Sequence, residues 1–243
     1  MTSPHVNYEG AARDYAKRRT PTAGALSIWA DVVAPYAKYT TTVIDLASGA
    51  GAFSGALRDW GTERVVAVEP SIAMQTEAVP IDGVLHVTGR AEAIPVRTRT
   101  VDLIWISMAF HHFEQPQQAV RECRRVLVDD GKVAIRGFVP GHSELTWFRL
   151  FPGSDKAIAR FPDLETMNAL FSESGFGLVH EQVVEQFAQT YAQRADFSEQ
   201  MRHADSVLTA MSDADVDAGI AALRARPDEI EHFAVSFLIY ELQ

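Results

Sequence analysis

The sequence predicts a doubly wound α/β domain with a mostly parallel sheet. Three observations carry that expectation. Short apolar runs of strand length alternate with helical segments from residue 42 to residue 138. The first run, "VIDLASGAGAFSGALRDWG" at residues 43–61, breaks into glycines where a strand would hand over to a helix. The run "VDLIWIS" at 101–107 is almost wholly apolar, as a strand covered on both faces must be.

Taken in order, residues 5–37 read as one or two helices, with Pro21 and Pro35 as breakers. Strand 42–46 leads into helix 52–60, whose Phe53, Ala56, Leu57 and Trp60 fall at helical spacing. Strand 64–68 precedes helix 71–78, and "VLHVT" at 84–88 is a third strand. Strand 101–107 is followed by helix 116–128, which starts on Pro116 and stops at Asp130-Gly131. "KVAIRGF" at 132–138 gives the fifth strand, and strands alternating with helices imply right-handed crossovers.

After residue 138 the pattern changes. Residues 139–162 are rich in aromatics, Pro and Gly and predict a loop with short helices. A helix over 163–174 ends at Gly175, and strand 178–185 follows. Residues 190–226 read as an inserted helical segment, in which Ser212 and Asp215 have capping-box spacing. Strand 232–242 closes a hairpin with 178–185. The expected organisation is one domain over 1–243: an N-terminal helical cap (1–37), a core (40–138) and cap insertions at 139–162 and 190–226.

Composition narrows the partners. A net charge of −10 disfavours a nucleic-acid backbone, which needs a basic face. The single cysteine, Cys123, rules out an internal disulfide and a cysteine-based zinc site, and no metal is expected. The first residues carry no apolar leader and no stretch reaches membrane-spanning length, so a cytoplasmic protein without a membrane partner is expected. Oligomeric state is left open.

The glycine corner carries the chemistry. Gly49 and Gly51 let backbone N–H groups approach a ligand at a helix N-terminus. A dinucleotide-binding corner asks for G-x-G-x-x-G, and Ser54 stands where the third glycine belongs. The segment Asp45-Leu46-Ala47-Ser48-Gly49-Ala50-Gly51 instead resembles the D-x-G-x-G-x-G motif of class I S-adenosylmethionine-dependent methyltransferases, with Ala47 in place of the first glycine. "VVAVEPSIAM" (65–74), "GRAEAIPVRTRTVDLIWISMAFHHF" (89–113) and "AVRECRRVLVDDGKVAI" (119–135) resemble later motifs of the same family, in order and at the right spacing. The resemblance covers residues 40–138 and implies a Rossmann-like sheet of seven strands, with a terminal antiparallel strand.

It also implies a site for S-adenosyl-L-methionine. Asp45 belongs to this site, the backbone from Ala47 through Ser48 and Gly49 to Gly51 would face the methionine part, and Glu69, followed by Pro70, would hold the ribose. Met74 would cover the adenine, unless it is ordinary core. Arg90 stands where the family often has an aspartate, which leaves the Ala91 N–H and Glu92 as adenine readers. Ser107 would offer its carbonyl to the methionine amine. "YAKRRTP" (15–21) resembles an N-terminal element of the family in which Tyr15 and Arg19 meet the cofactor carboxylate; a solvated basic face is the other reading.

His111 and His112 follow the fourth strand, where α/β sheets place ligands. One of them, His112 first, is a candidate general base; the other reading is a pocket wall. Trp147, Phe148, Phe151 and Phe161 are either core or a substrate-facing wall. The expected function is methyl transfer to a small-molecule acceptor, of the specialised-metabolite kind, through oxygen, nitrogen or carbon. The alternatives are a peptide or protein terminus as acceptor, an inactive binding protein of the same fold, and a nicotinamide-dependent oxidoreductase.

Overall fold

The computed structural model describes residues 12, 16, 21–143 and 145–243. Seven strands form one sheet in the order β3-β2-β1-β4-β5-β7-β6. They are β1 (Thr42–Leu46), β2 (Arg64–Glu69), β3 (Val84–Thr88), β4 (Val101–Ser107), β5 (Leu127–Gly137), β6 (Phe176–Thr190) and β7 (Ile230–Leu242). β1 to β5 pair in parallel, and β7 runs antiparallel to both β5 and β6. The expected doubly wound sheet with one antiparallel strand is therefore the observed fold.

Side-chain alternation along each strand feeds two separate cores. Val43, Leu103, Trp105, Ala134, Val235 and Phe237 enter one, with Trp29 and Val33 of helix α1 (Ala23–Ala37) and Leu57 of α2 (Ser54–Asp59). Ile44, Leu46, Ile104, Ile106, Val133 and Ile135 enter the other. Beyond α3 (Ile72–Thr76), helices α4 (Pro116–Val126) and, after α5 (Ser154–Ile158), α6 (Leu164–Ser172) cover that second face, through Val120, Cys123 and Phe171. Cys123 is buried there, and burial pushes its thiol up to about 12, so it is an inert packing group.

The first core shows why α1 matters to the site. Its buried residues Ala25, Trp29, Val33 and Ala37 are four apart, and Trp29 packs edge-on against Trp105 (5.8 Å) and Phe237 (5.7 Å). Pro35, expected as a breaker, lies inside α1. Only the carbonyl four residues earlier loses its donor, and that residue, Asp31, is exposed to water.

Other details differ from the sequence reading: β6, expected over 178–185, runs Phe176–Thr190. β5 begins at Leu127 rather than 132, because Leu127 pairs with Val101 before a register shift carries Lys132 opposite Leu103. Within 190–226, α7 (Tyr191–Met201) and α8 (Asp213–Arg224) form as expected. The capping box, however, belongs to Thr190 and Gln193. At Ser212 the hydroxyl accepts the Asp215 N–H (3.2 Å) and itself donates to the Asp215 carboxylate (2.7 Å), so the reciprocal half of a box is missing.

Candidate active site

The carboxyl ends of β1, β2 and β4 open into a cavity of about 1520 Å³. The glycine turn after β1 forms its floor. Gly49 (φ 58°) and Gly51 (φ 75°) are left-handed, and so is Ala47 (φ 57°), the residue standing in for a glycine. A non-glycine residue in that region carries strain, and strain of this kind collects at functional sites. Met108, just past β4, is left-handed too (φ 53°) and lines the same cavity.

Two buried carboxylates brace the turn. Asp45 accepts a hydrogen bond from Ser54 Oγ at 2.6 Å. Desolvation, with a smaller contribution from the Glu69 charge, pushes Asp45 up to about 7, against the lowering effect of the Ser54 bond. The serine that breaks the dinucleotide motif is thus a strut under the turn. Glu69 accepts the Gly49 N–H on Oε2 and the Ser71 N–H on Oε1, both at 2.9 Å. Burial raises its pKa, and these two hydrogen bonds oppose the rise.

Asp45, Ala47, Ser48, Gly49, Gly51 and Glu69 all line the cavity, as do Pro70, Met74, Arg90, Ala91, Glu92, Ser107 and His112. A Cβ on Gly49 would come within 3.2 Å of Met74 Cε, so the methionine packs directly over the turn. Arg90 is ion-paired to Glu114 (2.7 Å) and Glu92 (3.5 Å). Glu92 also accepts the Glu114 N–H (2.8 Å) and the Gln115 N–H (3.2 Å), so its carboxylate is turned toward the start of α4. Tyr15 and Arg19 lie outside the described residues.

The two histidines part company. His112 lines the main cavity; His111 faces a second one of about 630 Å³. The His111 ring stacks on Phe161 (centroids 4.1 Å apart, 25°), and its Nε2 is 3.3 Å from Ser206 Oγ. Their rings are 3.9 Å apart, so the pair forms the wall between the two spaces. Trp147, Phe148 and Phe151 belong to the buried core, and Phe161 to the second cavity.

The aromatic wall of the main cavity comes from Phe53, Trp60, Phe187, Phe197 and Phe233 instead. Arg136, Gln186 and Arg194 stand with them. Sequence reasoning missed Arg136, Gln186, Phe187, Arg194, Phe197 and Phe233, because these come from β5, β6, α7 and β7, brought together only by the insertion of β7 into the sheet.

The donor set fits S-adenosylmethionine. Among the described residues, Ser48 Oγ is buried in the turn without a hydrogen-bond partner, a position for a ligand's polar group. Backbone N–H groups of a glycine turn, an acid at the end of β2 and an apolar cover at Met74 are the pieces such a nucleoside needs. Among the described residues, no group of three or more His, Cys, Asp or Glu is placed to hold a metal ion.

Comparison with known proteins agrees with this geometry. Residues 44–135 match the family described as "Methyltransferase domain". A malonyl-[acyl-carrier protein] O-methyltransferase of Methylococcus capsulatus is 34% identical over 113 residues, 44% of this chain and 40% of that protein. The uncharacterized methyltransferase YcgJ of Bacillus subtilis is 34% identical over 98 residues, 37% of this chain and 38% of YcgJ. The chain thus spans about 40% of the length of these curated relatives. Among solved structures, a protein described as a methyltransferase from an antibiotic biosynthesis pathway of Anabaena variabilis superposes with a TM-score of 0.70. It is 21% identical, with 93% of this chain and 99% of that one covered, and the likeness is one of fold.

Proposed function

We propose that this chain, a member of the class I S-adenosylmethionine-dependent methyltransferase family, transfers a methyl group to a small-molecule acceptor held between the glycine turn and the aromatic wall. The observation that carries the reading is the cavity itself. At about 1520 Å³ it is larger than the roughly 300–1,000 Å³ of a usual single-ligand site, so it holds cofactor and acceptor together. The Methylococcus and Anabaena proteins, one acting on a carrier-borne acid and one from an antibiotic pathway, are compatible with a compact acceptor.

When bound, S-adenosylmethionine supplies a methyl group already activated as a sulfonium. The chain's task is to bind, align and shield. The turn from Ala47 to Gly51 receives the amino-acid end, and Glu69 accepts the ribose hydroxyls on lone pairs left over from its two backbone bonds. Met74 and Ala91 bound the adenine. His112, on the acceptor side, takes the proton from the attacking group where that group is acidic. Phe187, Phe197 and Phe233, with α1 and α7, exclude water from the transfer.

Calorimetric titration with S-adenosylmethionine and S-adenosylhomocysteine tests the reading, followed by transfer of an isotopically labelled methyl group across a panel of hydroxyl, amine and carboxyl acceptors. Saturable binding of both nucleosides and a labelled product are expected. A folded protein that binds neither overturns it.

A further inference from the structure

We propose that Gln186 is a specificity-determining residue of this cavity, whose amide NH₂ donates to an oxygen of the bound ligand; the proposal rests on the methyltransferase reading above. Chemistry sets the direction of the amide. Gln186 Oε1 accepts the Trp29 Nε1–H at 2.9 Å and a second hydrogen bond from Arg136 Nη2. An indole N–H and a guanidinium can only donate, so the atom facing them is the oxygen, and the NH₂ lies on the other branch of the amide. Among the described residues that NH₂ finds no hydrogen-bond partner. Yet Gln186 is only 6% exposed and lines the main cavity.

A β-bulge in β6 puts the amide there. Glu185 pairs with Ala234 and Phe187 with Phe233, which leaves Gln186 as the extra residue between two register positions. In a regular strand, consecutive side chains point to opposite faces. Here Gln186 and Phe187 both line the cavity, with Phe187 stacked on Phe233 at 4.9 Å. Bulges beside active sites commonly re-aim a side chain in this way. A polar donor and an aromatic face are thereby supplied by neighbouring residues.

A buried donor left without an acceptor costs the fold the desolvation of that group, so native proteins nearly always satisfy it. Gln189, which also lines the cavity, shows the ordinary outcome: its Nε2 donates to Glu231 Oε2 at 2.9 Å. At Gln186 the cost is offset when a ligand sets a carbonyl, carboxylate or hydroxyl oxygen against the wall. A ligand with a carbon at that point leaves the NH₂ unpaired, and sites of this kind reject such analogues strongly. The selection is for an oxygen, not for a charge, so neutral carbonyl compounds are the informative probes. That oxygen has two sources: the carboxylate at the amino-acid end of the cofactor, or the acceptor.

The test turns on Gln186→Glu, which keeps an oxygen for Trp29 and Arg136 and replaces the NH₂ by a second oxygen. Gln186→Met, which removes both functions, is the comparison, and near-ultraviolet circular dichroism checks folding. Calorimetry reads S-adenosylhomocysteine and 5′-methylthioadenosine, which lacks the amino-acid end. Ligand-observed magnetic resonance reads acetophenone, benzamide and the oxygen-free ethylbenzene, with and without saturating S-adenosylhomocysteine. Proton–nitrogen spectra of the side-chain amides, assigned through the backbone, report the Gln186 NH₂ directly. If the cofactor supplies the oxygen, S-adenosylhomocysteine moves those signals downfield and methylthioadenosine does not. Gln186→Glu then weakens S-adenosylhomocysteine roughly tenfold or more and leaves methylthioadenosine unchanged. If the acceptor supplies it, both nucleosides bind Gln186→Glu normally, while acetophenone and benzamide move the signals and weaken roughly tenfold. Ethylbenzene does neither. A folded Gln186→Glu protein that matches wild type for every ligand, with only Gln186→Met impaired, shows a structural role and overturns the proposal. So do equal losses of both nucleosides, or an NH₂ signal that none of the oxygen-bearing ligands moves. Where Gln186→Glu does not fold, the wild-type spectra decide alone. Failure of wild type to bind either nucleoside would sink the methyltransferase reading instead, and the carbonyl probes without nucleoside would still judge Gln186.

Discussion

Glu69 Oε2 accepts the Gly49 N–H at 2.9 Å, a bond that ties the end of β2 to the glycine turn after β1. The other oxygen holds the Ser71 N–H at the N-cap of α3. One carboxylate therefore shapes the site as well as facing it. Glu69→Ala should weaken S-adenosylmethionine at least tenfold, since charge-assisted hydrogen bonds are worth about 1.5–3 kcal/mol. It should also lower the melting temperature by several degrees, at about 2–4 °C per kcal/mol for a chain of this size. Calorimetry and thermal melts of the same variant read both; unchanged affinity in a folded variant removes Glu69 from the site.

The turn itself answers to conformation more than to the room a ligand needs. A Cβ on Gly51 would lie 3.3 Å from His86 Cε1 and 3.5 Å from Ser54 Oγ, so a side chain there meets the protein beneath the turn. Gly51→Val adds left-handed strain of roughly 1–2 kcal/mol and disturbs the Ser54 strut. Its expected result is loss of measurable turnover. Ala47→Gly goes the other way: at φ 57° it relieves strain and should raise stability by about 0.5–1 kcal/mol in urea denaturation, with binding retained. A destabilised Ala47→Gly protein would show that the alanine methyl packs usefully.

Asp45 gives the ligand-free protein a pH signature. Its pKa is 3.8 when unperturbed and about 7 when folded, so the folded chain binds the proton more tightly between these values. The stabilisation is complete below about pH 4 and is lost as pH rises through 7. Asp45→Asn keeps an acceptor for Ser54 Oγ and removes the titration. Denaturation curves from pH 4 to pH 8 should show the variant gaining on wild type by about 2–4 kcal/mol. A constant difference across that range would mean that Asp45 ionises normally.

The wall formed by His111 and His112 separates chemistry from architecture. His112→Ala should slow turnover by roughly 10²–10⁴ without changing cofactor affinity, and remove any rise of rate with pH that the base produces. His111→Ala, which removes the Phe161 stack and the Ser206 contact, should cost stability and change turnover less than tenfold. Near-normal rates in both variants, with the wild-type pH profile kept, would end the general-base role.

The glycine-turn half of the site was legible because it is local. Asp45 to Gly51, Glu69 to Met74 and Arg90 to Glu92 lie in three short segments whose strands are sheet neighbours, and periodicity places their ends together. The opposite half was not, because Arg136, Gln186, Arg194 and Phe233 meet only through strand order. No turn residue announces the bulge at Gln186, and the tertiary setting that tolerates Pro35 inside α1 leaves no mark in the local sequence. Thr190 and Gln193 did carry a readable capping signature, overshadowed by the Ser212 pair that resembles it.

β7 follows the other six strands along the chain, yet it lies between β5 and β6. As the chain leaves the ribosome, β1 to β5 can pair in parallel from residues already synthesised, whereas β6 emerges with no neighbour to receive it. The edge of β5 stays open until residues 230–242 arrive. A nascent chain stalled before residue 230 would hold a formed glycine turn and an undirected Arg136, since Gln186 reaches it only once β6 is seated on β7. Strand order alone thus lets the glycine turn form before the cavity wall that β6 and β7 carry.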